Sequence, residues 1–456
     1  MTLNFDVRAS AKALASAAML SFTLLAGPGL GLAHADMKIQ EVKSSSGVTA
    51  WLVEDYSVPI VAINFAFEGG TTQDPAGKEG LTNLMTGLLD EGAGKLDSEA
   101  FQSRIDDSGA EMRFSSGRDT TYGSVRFLAG QKDDALELLR MAINEPRFDE
   151  EPLDRVRSQV VSGILAGAHD PKQAAEVQWS HAIYGDHPYA RRDEGTEKSL
   201  TAITPDDLRA IHKAIFAREK LKVAVVGAID PETLKADLDK LFGSLPEKPT
   251  LTPVADVQPK LGHEVRVDYP LPQTGIQLAY PGVTRDDPNF FGAVLMNQIL
   301  GGGTFSSHLF DEVREKRGLA YGVSSSLMNY EHASALTIDT STRADKAGET
   351  LEIIRDVVKK MAEKGPTAAE LADAKKYLIG SYAINNLDSS GAVAGTLVEL
   401  QLQDLGIDYM QRRASMINAV TLEDTKAMAR KLLSADPAVL ILGSAPAEVS
   451  DAGNKQ

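Results

Sequence analysis

Two side chains in the second half of the chain have the types and spacing to converge as a pair of hydrogen-bond donors. Arg314 and Tyr321 lie seven residues apart (321 − 314) in the run Val313-Arg314-Glu315-Lys316-Arg317-Gly318-Leu319-Ala320-Tyr321. Ser306 to Lys316 reads as a helix with Leu309, Phe310 and Val313 on its apolar side, and Gly318 is a natural C′ residue to stop it. From Leu319 onward, Tyr321, Val323 and alternating serines read as a strand. Arg314 then projects from the last helical turn and Tyr321 from the strand start, so the two can converge. A guanidinium and a phenol there can donate hydrogen bonds to a peptide carbonyl oxygen and to the oxyanion that grows from it, where preorganised donors contribute several kcal/mol. The same residues also have a plain structural role. An Arg near a helix C-terminus meets the dipole favourably, and a Tyr at a strand start often packs at a rim. Arg317 competes with Arg314 for the same position.

Other chemistries find little support. There is no cysteine, hence no thiol nucleophile, and no G-x-S-x-G is present. Past residue 36 the histidines are His169, His181, His187, His212, His263, His308 and His332. None is spaced as H-x-x-x-H or H-E-x-x-H, so they read as scattered surface or turn residues, and no metal site is expected in this chain. The run Gly301-Gly302-Gly303 is not followed by Gly-Lys-Ser/Thr, which argues against a phosphate loop. It reads equally as a flexible loop facing substrate or as a turn between helices.

The elements that must position these residues recur. Val58 to Phe67 followed by Asp74-Pro75 matches Leu271 to Tyr280 followed by Asp287-Pro288, at offsets 272 − 59 = 213 and 287 − 74 = 213. Thr204-Pro205-Asp206-Asp207 and Thr421-Leu422-Glu423-Asp424 each open a helix with an N-cap Thr and an acidic residue three positions on. Each helix leads to an apolar strand ending in glycine, Lys222 to Gly227 and Ala438 to Gly443. The chain therefore reads as a duplication, with halves at 36–245 and 260–456. Residues 246–259 hold four prolines and read as a semi-rigid linker. Within each half, strands such as Val61–Phe67 alternate apolar and polar residues, and Ala135–Ala142 is an amphipathic helix. Strands and helices segregate, which predicts an α+β fold with helices packed on one face of a largely antiparallel sheet in each half.

The N-terminus reads as a secretory signal: Arg8 and Lys12, an apolar stretch from Leu14 to Leu32, and Ala33-His34-Ala35 as a cleavage site, giving a signal peptide over 1–35. The remaining 456 − 35 = 421 residues suit two or more domains. A net charge of −17 disfavours nucleic acid and anionic lipid. No later stretch is long and apolar enough to span a bilayer. A periplasmic location with no membrane contact after cleavage is expected.

The paired halves, together with Leu300-Gly301-Gly302-Gly303 through Tyr321 and Tyr184-Gly185-Asp186-His187-Pro188-Tyr189 followed by Gly195-Thr196, resemble the pitrilysin/insulinase family of zinc metallopeptidases. The resemblance is to the short-chain branch that includes mitochondrial processing peptidase, and it covers nearly all of the chain past residue 35. The departure from that family is as specific as the match. Gly80-Leu81-Thr82-Asn83-Leu84-Met85-Thr86-Gly87 stands where the family reads G-L-x-H-x-x-E-H. Asn83, Thr86 and Gly87 occupy the His, Glu and His positions. The stretch matching the family's third ligand, a Glu, is Gln159 to Ile164, with no carboxylate at Ser162 or Gly163. In active members the two histidines lie one helical turn apart and bind zinc, and the Glu takes a proton from the bound water.

The resemblance implies a non-catalytic subunit of a two-chain zinc peptidase. It implies a partner carrying H-x-x-E-H, with zinc bound in that partner and no cofactor in this chain. Family spacing favours Arg314 over Arg317, and the resemblance gives Arg314 and Tyr321 the role of acting in trans on peptide at the partner's site. Gly301–Gly303 would then face substrate, as in the non-catalytic subunit of the processing peptidase. The alternative is a peptide-binding or scaffold protein of the same fold with no part in hydrolysis, for which the Arg/Tyr pair has no purpose.

Overall fold

The computed structural model describes residues 37–303 and 305–444. The signal peptide expected over 1–35 lies outside the described residues. Among those described, no helix is long and apolar enough to cross a membrane.

Among the described residues, eleven strands build two sheets. The first half supplies β1 (Gln40–Lys43), β2 (Thr49–Glu54), β3 (Ile60–Glu68), β4 (Glu111–Ser116), β5 (Thr120–Leu128) and β6 (Lys222–Gly227), in the order β1-β2-β6-β3-β5-β4. The second half supplies β7 (Glu264–Asp268), β8 (Gln273–Pro281), β9 (Ala320–Asn329), β10 (Ser334–Arg343) and β11 (Ala438–Gly443), in the order β7-β11-β8-β10-β9. Drop β1 and the two orders coincide strand for strand. Each sheet has one parallel pair, β2 with β6 and β7 with β11, and is otherwise antiparallel. The offset of 213 found in the sequence maps β3 onto β8 from end to end (273 − 60 and 281 − 68). Both helix starts with Thr and an acidic residue form reciprocal caps, Thr204 with Asp207 and Thr421 with Asp424.

The fold is α+β, as the pattern of elements suggested. Odd residues of β3 (Val61, Ile63, Phe65, Phe67) enter a core built by the first half's own helices, including Lys132–Asn144 and Pro231–Phe242. Phe65 lies over Gly123 of β5, its register partner, with its ring wedged edge-on against Phe67, Phe114 and Phe242. The expected alternation of buried and exposed residues in Val61–Phe67 is not what the strand shows. Every residue of that run is buried except Asn64, which is half-buried. The reason is a helix from the other half. Ser390–Leu402 crosses β3 and β6 on the second face, where the Gln401 amide donates to the Val223 carbonyl at 2.9 Å. The exchange is reciprocal: the first half's helix Pro171–Tyr184 packs on β7 and β11, putting Ala175, Trp179 and Ile183 against Leu440 and Leu442.

Residues 246–259 form neither helix nor strand and are stitched down along their length. The Pro246 and Glu247 carbonyls accept from the Arg218 and Glu219 amides, the Thr250 amide donates to Ala214, and the Val257 amide donates to the His332 carbonyl.

Candidate functional site

The second half's Gly-rich segment and the turn carrying Arg314 are both wound more widely than an α-helix. The helix expected over Ser306 to Lys316 starts at His308, runs as α only through Phe310, and continues as a π-turn over Asp311–Glu315, with the Lys316 amide donating to the Asp311 carbonyl at 2.9 Å. A second π-turn spans Gln298–Gly302. Such single π-turns are rare and concentrate at functional sites. Gly318, at φ +61, ends the turn: its amide donates to the Arg314 carbonyl and the Leu319 amide to the Val313 carbonyl, each bond one residue wider than in a Schellman cap, as the π-turn before it requires.

This winding brings Arg314 and Tyr321 together. The Arg314 guanidinium carbon lies 4.7 Å from the Phe310 ring centroid and 5.0 Å from that of Tyr321. Phe310 is buried, and Phe305, three-quarters exposed, meets it edge-on at 5.3 Å. Tyr321 is 88% exposed at the start of β9, the edge strand of its sheet, so its hydroxyl faces solvent and its packing role is slight. Arg317 is directed elsewhere, with Nη1 donating to the Glu312 carboxylate at 2.5 Å and to the Glu312 carbonyl at 2.8 Å. Hydrogen bonds from Lys316 and then Arg317 to its carboxylate hold the Glu312 carboxyl down at about 2. The geometry thus separates the two arginines, which the sequence distinguished only by family spacing.

The three glycines have different surroundings. Gly301 is buried under β9: a Cβ there would sit 2.6 Å from Ser325 Oγ and 2.7 Å from the Ser325 amide nitrogen. Its lack of a side chain serves close packing. Gly302 is exposed, and Gly303 borders a cavity of about 360 Å³ lined also by Phe305, Glu370 and Tyr377.

The positions matching the zinc motif do not fit a metal. Helix Leu81–Thr86 carries Asn83 and Thr86 and is closed by Gly87. The buried Thr86 hydroxyl donates back to the Asn83 carbonyl at 2.9 Å, and Gly87 offers no donor atom. Ser162 and Gly163 are exposed on helix Glu150–Gly167, with no carboxylate to add. What holds the start of helix Leu81–Thr86 in place is Asp74. Its carboxylate accepts from the Gly80 amide, the Thr82 amide and the Thr82 hydroxyl, and burial pushes its carboxyl up to about 6 against those bonds.

Sequence reasoning treated His332 as an isolated histidine. The structure brings it together with Asp119 and Glu331, donor atoms all within 4.8 Å of one another. Asp119 follows the β4 strand and His332 follows β9, in the equivalent hairpin turns of the two halves (332 − 119 = 213). The offset marks the two positions as equivalents in the repeat, but not as neighbours.

Comparison with known proteins agrees with this reading. Residues 50–197 match the family described as insulinase (peptidase family M16), and residues 202–378 match the peptidase M16 inactive domain. A crystal structure of a peptidase M16 inactive domain from Pseudomonas fluorescens is 30% identical, superposes with a TM-score of 0.82, and is covered over 98% of its length by 90% of this chain. A non-peptidase homolog, YmxG, of Helicobacter pylori is 25% identical across 88% of this chain and 93% of its own. An uncharacterized zinc protease of Streptomyces coelicolor is 28% identical across 83% of each chain. Two halves of one topology fit the two matched stretches and the superposed structure: the chain belongs to the insulinase, or M16, peptidase family.

Proposed function

We propose that this chain is the non-catalytic, substrate-binding subunit of a two-chain periplasmic zinc metallopeptidase. Its partner is a homologous subunit with H-x-x-E-H, and the substrate is peptide. The observation that carries this is the Arg314/Tyr321 pair. The two side chains lie face to ring at 5.0 Å, and the phenol is exposed at an edge strand where a stability role is weak. In the complex, a zinc ion held by the partner's H-x-x-E-H would supply an activated water. This chain donates N–H from Arg314 and O–H from Tyr321 to the carbonyl oxygen of the scissile peptide, and these bonds strengthen as negative charge develops there. The non-peptidase name of the Helicobacter relative supports the non-catalytic part of this reading.

The surface around the pair suits a partner. Exposed Phe305 and Tyr377 share the 360 Å³ cavity, and Phe305 meets Phe310, the ring on which Arg314 also rests. Clustered exposed apolar side chains mark interaction surfaces.

The test is peptidase activity on a fluorogenic peptide library, with zinc, for this chain alone, an H-x-x-E-H homologue alone, and the mixture. Activity should require the mixture. Arg314→Ala and Tyr321→Phe should each lower kcat by about 10²–10³, the usual effect of losing one oxyanion donor. A partner that is fully active alone and indifferent to this chain would leave the scaffold reading in its place.

A further inference from the structure

The equivalent hairpin turns of the two halves meet at Asp119, Glu331 and His332, and nothing in the proposed peptidase role uses them. Donor atoms of all three fall within 4.8 Å of one another. Two carboxylates at this separation repel unless a cation lies between them. None does: among the described residues neither Asp119 nor Glu331 has an ion-pair partner within 4.0 Å. The nearby cations are committed elsewhere. Arg118 donates to the Tyr189 carbonyl at 3.0 Å and lies 3.7 Å from Asp193, while Lys220 is paired with Glu68 at 2.8 Å.

The surroundings are built as metal sites are built. The buried Tyr189 hydroxyl donates to Asp119 Oδ2 at 2.5 Å and accepts from the His332 amide at 3.0 Å, which fixes the carboxylate against the histidine backbone. Asp119 Oδ1 is buried and has no hydrogen-bond partner, a costly state for a carboxylate oxygen unless a cation meets it. His332 Nδ1 lies 3.1 Å from Asp256 Oδ1, leaving Nε2 as the ring's other donor. A carboxylate holding the far nitrogen of an imidazole is the usual outer support of a metal-bound histidine.

We propose that Asp119, Glu331 and His332 bind one divalent transition-metal cation, which joins the two halves of the chain. One imidazole nitrogen with two carboxylates suits zinc or manganese better than calcium or magnesium, which prefer all-oxygen sets. Metal–ligand bonds of about 2 Å draw the donors inward. Glu331 is exposed and can swing to meet the ion. The site is separate from the H-x-x-E-H positions and does not rest on the peptidase reading.

Zinc titration of the chelator-stripped full chain by calorimetry, with metal content measured after gel filtration, tests this. One zinc per chain is expected, together with a higher thermal midpoint that chelator reverses. Glu331→Gln and Asp256→Asn alter exposed side chains and should fold normally. The first should weaken binding at least tenfold. The second, as an outer-shell change, should weaken it about 10–100-fold. A stripped chain that takes up no zinc overturns the proposal. So does binding that both variants leave unchanged, which would assign the ion to other histidines.

Discussion

Gly301→Ala separates packing from substrate contact at the Gly-rich segment. The added methyl would lie 2.6 Å from Ser325 Oγ, 2.7 Å from the Ser325 amide nitrogen and 2.8 Å from Leu309 Cδ1, against an ordinary contact of 3.4 Å, so it intrudes by 0.8, 0.7 and 0.6 Å. The hydroxyl cannot simply rotate away, because it donates to Asn297 Oδ1 at 2.7 Å. The amide nitrogen belongs to β9 and cannot move alone. Overpacking of this kind costs about 1–3 kcal/mol, and breaking the Ser325–Asn297 bond adds about 1 kcal/mol. Urea denaturation followed by circular dichroism should therefore show a loss of about 2–4 kcal/mol with the slope unchanged. Gly302→Ala, at an exposed position whose nearest neighbour is the Asn297 amide at 3.0 Å, should lose less than about 1 kcal/mol. If Gly301→Ala folds with native stability but abolishes activity in the mixed complex, the packing argument is wrong and the glycine serves substrate directly.

Three further outcomes follow from other parts of the fold. Gly123→Ala would place its methyl 2.1 Å from Phe65 Cζ, inside a cluster of four phenylalanines, and should cost about 3 kcal/mol or more; Phe65→Leu in the same chain should recover part of the lost urea midpoint, and no recovery would locate the strain elsewhere. Burial pushes the His212 imidazole, stacked on Phe216 at 4.3 Å, down to about 4 from 6.5. The unfolded chain then takes up the proton first, so this stability is complete above pH 6.5 and is lost as pH falls toward 4, by about 3 kcal/mol. The stability difference between wild type and His212→Phe should shift by that amount in favour of the variant between pH 7 and 4; parallel curves would show that the ring is already solvated. Asn83→His/Thr86→Glu/Gly87→His should remain without peptidase activity when assayed alone with zinc, since no carboxylate stands at Ser162 or Gly163 and a Glu at buried position 86 desolvates its charge. Hydrolysis by that triple variant would show that three restored positions suffice.

Periodicity and capping made most of the architecture legible. Thr204 and Thr421 declared their helices because an N-cap hydroxyl and an acid three residues later satisfy each other's orphan donors wherever the helix ends up. The offset of 213 placed β3 and β8 correctly before any strand was paired. Burial of β3 on both faces was not legible, since Ala62 and Ala66 are small enough to sit either in water or under a helix, and only the position of Ser390–Leu402 decides between them. At the site, spacing located Arg314 and Tyr321, but the π-turn that stacks one on the other is an extra residue in a helical turn and leaves no periodic trace. Asp119 and His332 escaped notice because their meeting depends on how the halves face each other, which no local pattern encodes.

The reciprocal crossing of Pro171–Tyr184 and Ser390–Leu402 carries a consequence for how the chain is put together. The two helices stand at an offset of 219 (390 − 171), close to that of the other repeated elements, so each half lends its counterpart the same piece. Each half builds one core of its own, but the second face of its sheet is covered only by the other half's helix. Severing the connection within 246–259 would yield two fragments that must stay associated to remain folded, and the intact chain should melt in one cooperative step. A single unduplicated half would have had to find a second copy of itself and trade that helix with it, so the chain has the layout of a two-fold dimer whose subunits were joined end to end.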